Sequence, residues 1–163
     1  MKEEFENLAR VLQEYGNEVQ ELYKQKLAND DATASGELIN SVKYIYEQNG
    51  NSYSVSLSLK EYWKYVEYGR KAGGKFPPPQ AIRKWIEVKP ILPRPFANGK
   101  LPTLNQLTYL ISRKIAEQGI RARNILEKTL EEINKKYDDK ISEALTIDLS
   151  NSLNEVFALI VRR

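Results

Sequence analysis

The stretch "INSVKYIYEQNGNSYSVSLSL" leaves this chain little choice of structure. Val42, Tyr44 and Tyr46 alternate with polar neighbours, Tyr53, Val55, Leu57 and Leu59 do the same further on, and Asn49-Gly50 stands between the two runs. Period-two alternation is the pattern of a strand with one buried face, and Asn-Gly supplies the positive φ that a tight turn demands. The stretch therefore predicts a β-hairpin turning near Asn49-Gly50. A lone hairpin is marginal in water, so its apolar face has to be covered by helices, and its edge is expected to pair with another strand.

The rest of the chain supplies helices. From Lys2 to about Ala28, Phe5, Leu8, Leu12, Tyr15, Val19 and Leu22 recur at intervals of three and four, the stripe of an amphipathic helix that either covers a domain core or packs on a neighbouring subunit. Gly16 in its middle weakens that helix by about 1 kcal/mol relative to alanine and is a place for it to bend. Tyr62 to Gly69 reads as a short helix with Tyr62, Tyr65, Val66 and Gly69 on one face, Trp63, Glu67 and Arg70 on another, and Gly69 at the C-cap. "RKAGGKFPPP" follows as a loop, mobile at its glycines and stiff at its prolines.

Ile82, Trp85 and Ile86 mark a second short helix from Gln80 to Glu87, and the prolines of "VKPILPRPFANGKLP" preclude a regular element. Thr103 is an N-cap for a helix ended by Gly119. A long helix runs from about Ala122 to about Leu145, with Ile125, Thr129, Ile133, Tyr137, Ile141 and Leu145 on one side. The tail leaves two readings open: Ile147, Leu149 and Leu153 continue a helix, whereas "VFALIV" is equally a strand that completes the sheet. The fold class is α+β: an N-terminal helix, a small antiparallel sheet with a β-hairpin, and several helices packed on it.

Length and composition narrow the function. A chain of 163 residues and 18.8 kDa has the size of one domain with its own core. No apolar run approaches the roughly 20 residues of a membrane-spanning helix, and "MKEEFENLAR" is charged and amphipathic, unlike a secretory signal, so a soluble protein with no membrane partner is expected. The sequence holds no cysteine and no histidine, which removes disulfides, thiolate chemistry and the commonest general base and metal ligand.

It also lacks a GxxxxGK[ST] loop, a GxGxxG after a strand, and paired carboxylates in an apolar setting. Gly73-Gly74 is too little for a phosphate loop. Glu67, the one acid inside an aromatic run, is more readily a salt-bridge partner of Arg70 or of a neighbouring chain than a catalytic acid. The expectation is a protein with no catalytic residues, no cofactor and no metal. Charge is unevenly placed: from Lys60 to Lys100 there are ten Lys/Arg against three Glu, and elsewhere 15 basic against 19 acidic residues. The middle of the chain is thus an electrostatic footprint for an acidic partner or nucleic acid.

The order of these features resembles the phage head-tail connector family of tail-completion, neck and tail-terminator-like proteins. "ASGELINSV" is similar to the family's threonine/serine-glycine-x-leucine-x-x-serine motif ahead of the first strand, here Ser35, Gly36, Leu38 and Ser41. The tyrosine-x-x-tyrosine-valine-glutamate-x-glycine signature is matched by Tyr62, Tyr65, Val66, Glu67 and Gly69. "LTYLISRKIAEQGI" looks like the family's later helix, which ends in glycine. The resemblance spans roughly Phe5 to Leu130, and a helical C-terminal extension from about 131 is read from periodicity alone. The family often places Arg-Pro-Phe before its last long helix. Here "RPF" stands at Arg94 to Phe96, ahead of an extra helix, and is not the equivalent feature.

The resemblance implies a structural virion protein, a subunit of a homo-oligomeric ring between head and tail through which DNA passes. Its partners would be copies of itself and neighbouring neck, portal-side adaptor or tail-tube proteins, with non-specific contact to DNA in the channel. Its place would be the virion and, before assembly, the host cytoplasm. Tyr62 to Tyr68 would form a rigid packing part, and Arg70, Lys71 and Lys75 a mobile docking or DNA-facing loop. The competing reading is a nucleic-acid-binding module that uses the basic 60–100 segment, with aromatics to stack bases and cations to hold phosphates.

Overall fold

A computed structural model describes residues 5–30, 36–50, 52–89 and 91–161. In chain order these form α1 (Glu6–Asn29), α2 (Glu37–Ser41), β1 (Lys43–Asn49), β2 (Ser52–Ser58), α3 (Trp63–Glu67), α4 (Pro79–Val88), α5 (Leu104–Gln118) and α6 (Ile125–Val161). The arrangement is α+β, with the N-terminal helix first. Residues 2–4 of the expected first helix, and Ser35 of the glycine-leucine-serine motif, lie outside the described residues.

The hairpin has the register that the alternation requires. Tyr44 stands opposite Leu57, Tyr46 opposite Val55 and Gln48 opposite Tyr53 in an antiparallel pair, and Gly50 at the turn takes φ +60°. No further strand joins it among the described residues. The tail that could have supplied one is helical, because α6 runs unbroken to Val161. The reason is visible in the sequence: no glycine or proline follows Gly119, and Leu149, Leu153, Val156 and Ile160 keep a 4-3-4 spacing. That helical period outweighs the six-residue strand-like window.

The chain divides into two compact units. The first takes the described residues within Met1–Lys26, Ser41–Leu59 and Ile125–Arg163, the second those within Leu27–Asn40 and Lys60–Asn124. In the first unit, Val11, Val19, Ile133, Tyr137 and Ala144 make the core, with Tyr15, Leu22, Leu57, Leu130 and Ile141 packed around them. Within α1 the deepest burial falls on Val19, Tyr23 and Leu27, followed by Val11, while Leu12, Tyr15 and Leu22 of the expected stripe are half-buried. The buried face is therefore shifted slightly around the helix.

α1 and α6 run antiparallel, since partners on α6 fall in number as those on α1 rise. Asp148 accepts from the Asn7 and Leu8 backbone N–H groups at 3.3 and 2.8 Å, Tyr15 donates to Asn134 at 2.9 Å, and Lys26 pairs with Glu132 at 2.7 Å. Asp148 thus caps the first turn of α1 from 140 residues away in sequence, satisfying N–H groups that have no partner inside the helix.

Gly16 is where the hairpin lies against α1. A Cβ there would sit 2.6 Å from the Tyr44 ring and 3.0 Å from Val55 Cγ1. Helix propensity alone favours Gly16→Ala by about 1 kcal/mol, but overpacking against a ring costs roughly 1–3 kcal/mol. Gly16→Ala is expected to lower stability in urea unfolding. A variant as stable as the parent or more so would show that the hairpin rides loosely on the helix.

In the second unit, α5 begins with a capping box in which Thr103 and Gln106 satisfy each other's backbone N–H groups. Pro79 stands at the start of α4, where its missing N–H does no harm. Leu38 and Ile82 are buried here, as are Thr108, Ser112 and Ala116 along one side of α5. Thr108 is accommodated by donating to the Leu104 carbonyl at 2.7 Å.

Candidate assembly surface

The signature Tyr62, Tyr65, Val66, Glu67 and Gly69 sits wholly in the second unit, on and around α3. Its five helical residues turn Glu67 inward, leaving it 2 % exposed, and turn Tyr62, Tyr65 and Tyr68 outward, the last 68 % exposed. Val66 and Trp63 are half-buried, and the Trp63 and Tyr68 rings meet at 5.8 Å. The Glu67 carbonyl accepts the Arg123 and Asn124 N–H groups, both at 3.1 Å. The face bearing Glu67 is therefore the anchored one, and the tyrosines form the outer surface.

The signature glycine has a specific task. Arg70 and Ile120 exchange both backbone hydrogen bonds at 2.8 Å, forming an antiparallel bridge flanked by Gly69 and Gly119. A Cβ on Gly69 would lie 2.2 Å from the Ile120 carbonyl oxygen, and one on Gly119 would lie 2.2 Å from that of Arg70. Both glycines also take positive φ, +66° and +74°. Two strands of backbone come this close only where neither carries a side chain. Gly119 and Asn124, which also has positive φ, were not singled out as partners of the signature. A glycine ending a helix is common enough that nothing in the sequence distinguishes one that meets a second glycine.

This bridge corrects the expectation for the basic loop. Arg70 is half-buried and fixed by its backbone, and its guanidinium donates to the Lys75 carbonyl. Gly73 donates to the Ala116 carbonyl at 2.7 Å, and Pro77 is buried. The loop is thus held at several points, and of the three cations Lys71 and Lys75 are exposed. A glycine-rich composition predicts freedom where the backbone has no partner; here α5 provides one.

Gly36 takes φ +68°, Leu38 is fully buried, and Ser41 closes the five-residue α2. The motif therefore starts a helical turn and inserts one apolar side chain. Beside it Glu37 pairs with Lys84 at 2.8 Å. The hydrogen bond and charge of each partner lower the Glu37 carboxyl and raise the Lys84 ammonium from their ordinary values. Burial, then the Glu37 charge, raises the Tyr62 phenol.

Apolar side chains also lie exposed in each unit among the described residues. In the second unit an open groove of about 300 Å³ is lined by Phe96, Asn105, Gln106, Tyr109 and Leu110. The turn "FANGK" holds Phe96 there: Phe96 donates to the Lys100 carbonyl and Gly99 to that of Phe96, each at 2.8 Å. Phe76 extends the patch, its ring 5.9 Å from that of Tyr109. In the first unit, α6 beyond Asp148 exposes Leu149, Leu153, Val156, Phe157, Leu159 and Ile160. The 4-3-4 spacing of that tail was a usable signal, obscured by the strand-like "VFALIV".

Among the described residues no cluster of three or more His, Cys, Asp or Glu could hold a metal ion, and no helix is long and apolar enough to cross a membrane. The chain matches no family model, no curated protein sequence and no solved structure.

Proposed function

We propose that this chain is a structural subunit of a tailed-phage virion, a neck or tail-completion protein that forms a homo-oligomeric ring between head and tail through which DNA passes. The observation that carries the reading is the arrangement of the signature: a backbone locked by Gly69 and Gly119 that turns its two tyrosines, and Tyr68 beside them, to the outside. Tyrosines bury large area with few rotatable bonds, and on a rigid base they lose little entropy when a neighbour covers them. Lys71 and Lys75, exposed on an anchored loop, would face an acidic neighbour or the DNA.

The direct test is light scattering and electron microscopy of the purified protein over a range of concentrations. Closed rings with a central channel, formed alone or with a neck neighbour, are the expected result; a monomer under all these conditions would overturn the reading. Replacing both loop lysines, Lys71→Ser with Lys75→Ser, is expected to leave the melting temperature within about 1–2 °C, since exposed charges contribute little to folding. In a phage complementation assay the same variant should lower the yield of DNA-retaining particles, because a ring repeats each weak contact in every subunit. Full complementation would mean that these charges only solvate the surface.

A further inference from the structure

We infer that the end of α6 in one copy docks into the groove beside α5 of the next, so that copies join head to tail. The inference rests on the ring reading above and names the contact that would build the ring. Leu149, Leu153, Val156 and Ile160 follow one another at intervals of four, three and four, which aligns them as a ridge on one side of the helix. Phe157 and Leu159 widen it, and all six are exposed.

This ridge does not prolong the core stripe. Ile133, Tyr137, Ala144 and Asp148 mark the buried side of α6. At about 100° per residue the ridge centres about 140° around the helix from them, well over a third of a turn. From Asp148, which caps α1, α6 continues for about 20 Å at 1.5 Å per residue.

The groove has the opposite shape and lies in the other unit. Phe96, Tyr109 and Leu110 give it apolar walls, Asn105 and Gln106 lie along it, and its 300 Å³ is room for one or two large side chains such as Phe157 and Leu153. Exposed Leu101 and Leu104 stand near it in sequence, so a helix seated there would meet apolar surface beyond the groove itself. Exposed apolar surface of this extent is uncommon on a protein that works alone.

Charge selects a second copy as the occupant. The unit with the groove has fourteen Lys/Arg against seven Asp/Glu, whereas the unit with the ridge has eleven against fifteen. The ridge from Leu149 to Ile160 carries a single charged side chain, Glu155, so docking it buries no cluster of like charge. A net acidic unit bearing a ridge and a net basic unit bearing a groove attract when they belong to different copies and repel when like meets like. Such a contact uses two different patches, and contacts of that kind close into rings when the rotation per copy allows.

The chain has no cysteine, so disulfide trapping tests the contact cleanly. A double variant, Tyr109→Cys with Phe157→Cys, is expected to give a covalent ladder of oligomers under mild oxidation, while each single variant stays unlinked. Phe157→Cys alone forming dimers would show that ridges pack on ridges and would overturn the proposal. A mixing experiment supplies the second readout. Leu153→Asp with Phe157→Asp removes the ridge, and Leu110→Asp removes the groove; each protein alone should need a roughly hundredfold higher concentration to assemble, as loss of a central anchor implies.

Together the two variants retain one intact ridge and one intact groove, and the mixture should give a one-to-one dimer. Rings that form normally from either variant would refute this contact and leave the ring reading standing. A parent protein that never assembles would remove both. The substituted residues are exposed, and thermal melts matching the parent confirm that each variant is folded.

Discussion

Gly69→Val should destabilise the second unit by roughly 3–5 kcal/mol, a large part of the roughly 5–15 kcal/mol that holds an ordinary domain folded. Two costs combine. Positive φ is strained for any side chain, by about 1–2 kcal/mol, and more so for a β-branched one. The second cost is steric: the new Cβ would meet the Ile120 carbonyl at 2.2 Å, the Ala122 nitrogen at 2.6 Å and the Arg121 carbonyl carbon at 2.8 Å, all backbone atoms that cannot rotate aside. The Arg70–Ile120 bridge has to open.

Gly73→Ala separates the two costs, because Gly73 also has positive φ, +78°, but has nothing within 4 Å of its Cβ position. It should cost about 1–2 kcal/mol from strain alone. Urea unfolding measures both variants, and hydrogen exchange at the Arg70 and Ile120 amides reports the bridge directly. Equal losses for Gly69→Ala and Gly73→Ala would show that the close approach contributes nothing.

The contrast between these glycines shows what the sequence could and could not convey. The hairpin was legible because both its signals are local: alternation sets the faces of β1 and β2, and Asn-Gly sets the turn. The caps were legible for the same reason, with Thr103 three residues before Gln106. What joins Gly69 to Gly119 is not local, since the forty-nine intervening positions say nothing about which carbonyl will lie over which Cα. Gly16 misled for a related reason. By propensity it is a weak point in a helix, yet the residue that decides its role, Tyr44, arrives with the hairpin.

Of the surface, the signature tyrosines could be found but their direction could not. A five-residue helix has no periodicity long enough to tell its buried face from its open one. The long tail of α6 was the reverse case: its spacing is plain over 149–160, but a window of six apolar residues fits a strand equally well.

Tyr137 should give the largest effect in the first unit. Its residue is 3 % exposed, its ring stands edge-on to that of Tyr15 at 5.5 Å, and Lys140 Nζ lies 4.9 Å from its centroid. Its hydroxyl donates to Glu18 Oε2 at 2.7 Å. Tyr137→Ala empties the centre of the α1–α6 contact and should cost about 3–5 kcal/mol. Tyr137→Phe keeps the ring and removes one donor to a charged acceptor, for roughly 1–2 kcal/mol; Glu18 keeps its partner Lys136.

The hydroxyl also links stability to pH. Burial, and then the hydrogen bond and charge of Glu18, push the Tyr137 phenol up from 10.0 to about 12. Between those values the unfolded chain has released this proton and the folded chain has kept it, so stability falls as pH rises. The contribution is fully present below pH 10 and is lost by about pH 12. Its size is on the order of 1–2 kcal/mol after allowance for solvent near the hydroxyl.

Tyr15, Tyr46 and Tyr62 are raised as well and slope the same way, so the informative quantity is a difference between proteins. Urea unfolding of the parent and of Tyr137→Phe at pH 8, 10 and 11.5 should show the gap between them narrowing as the pH rises. A gap that stays constant over that range would mean that Tyr137 titrates alike in both states, and that its bond to Glu18 does not hold the two helices together.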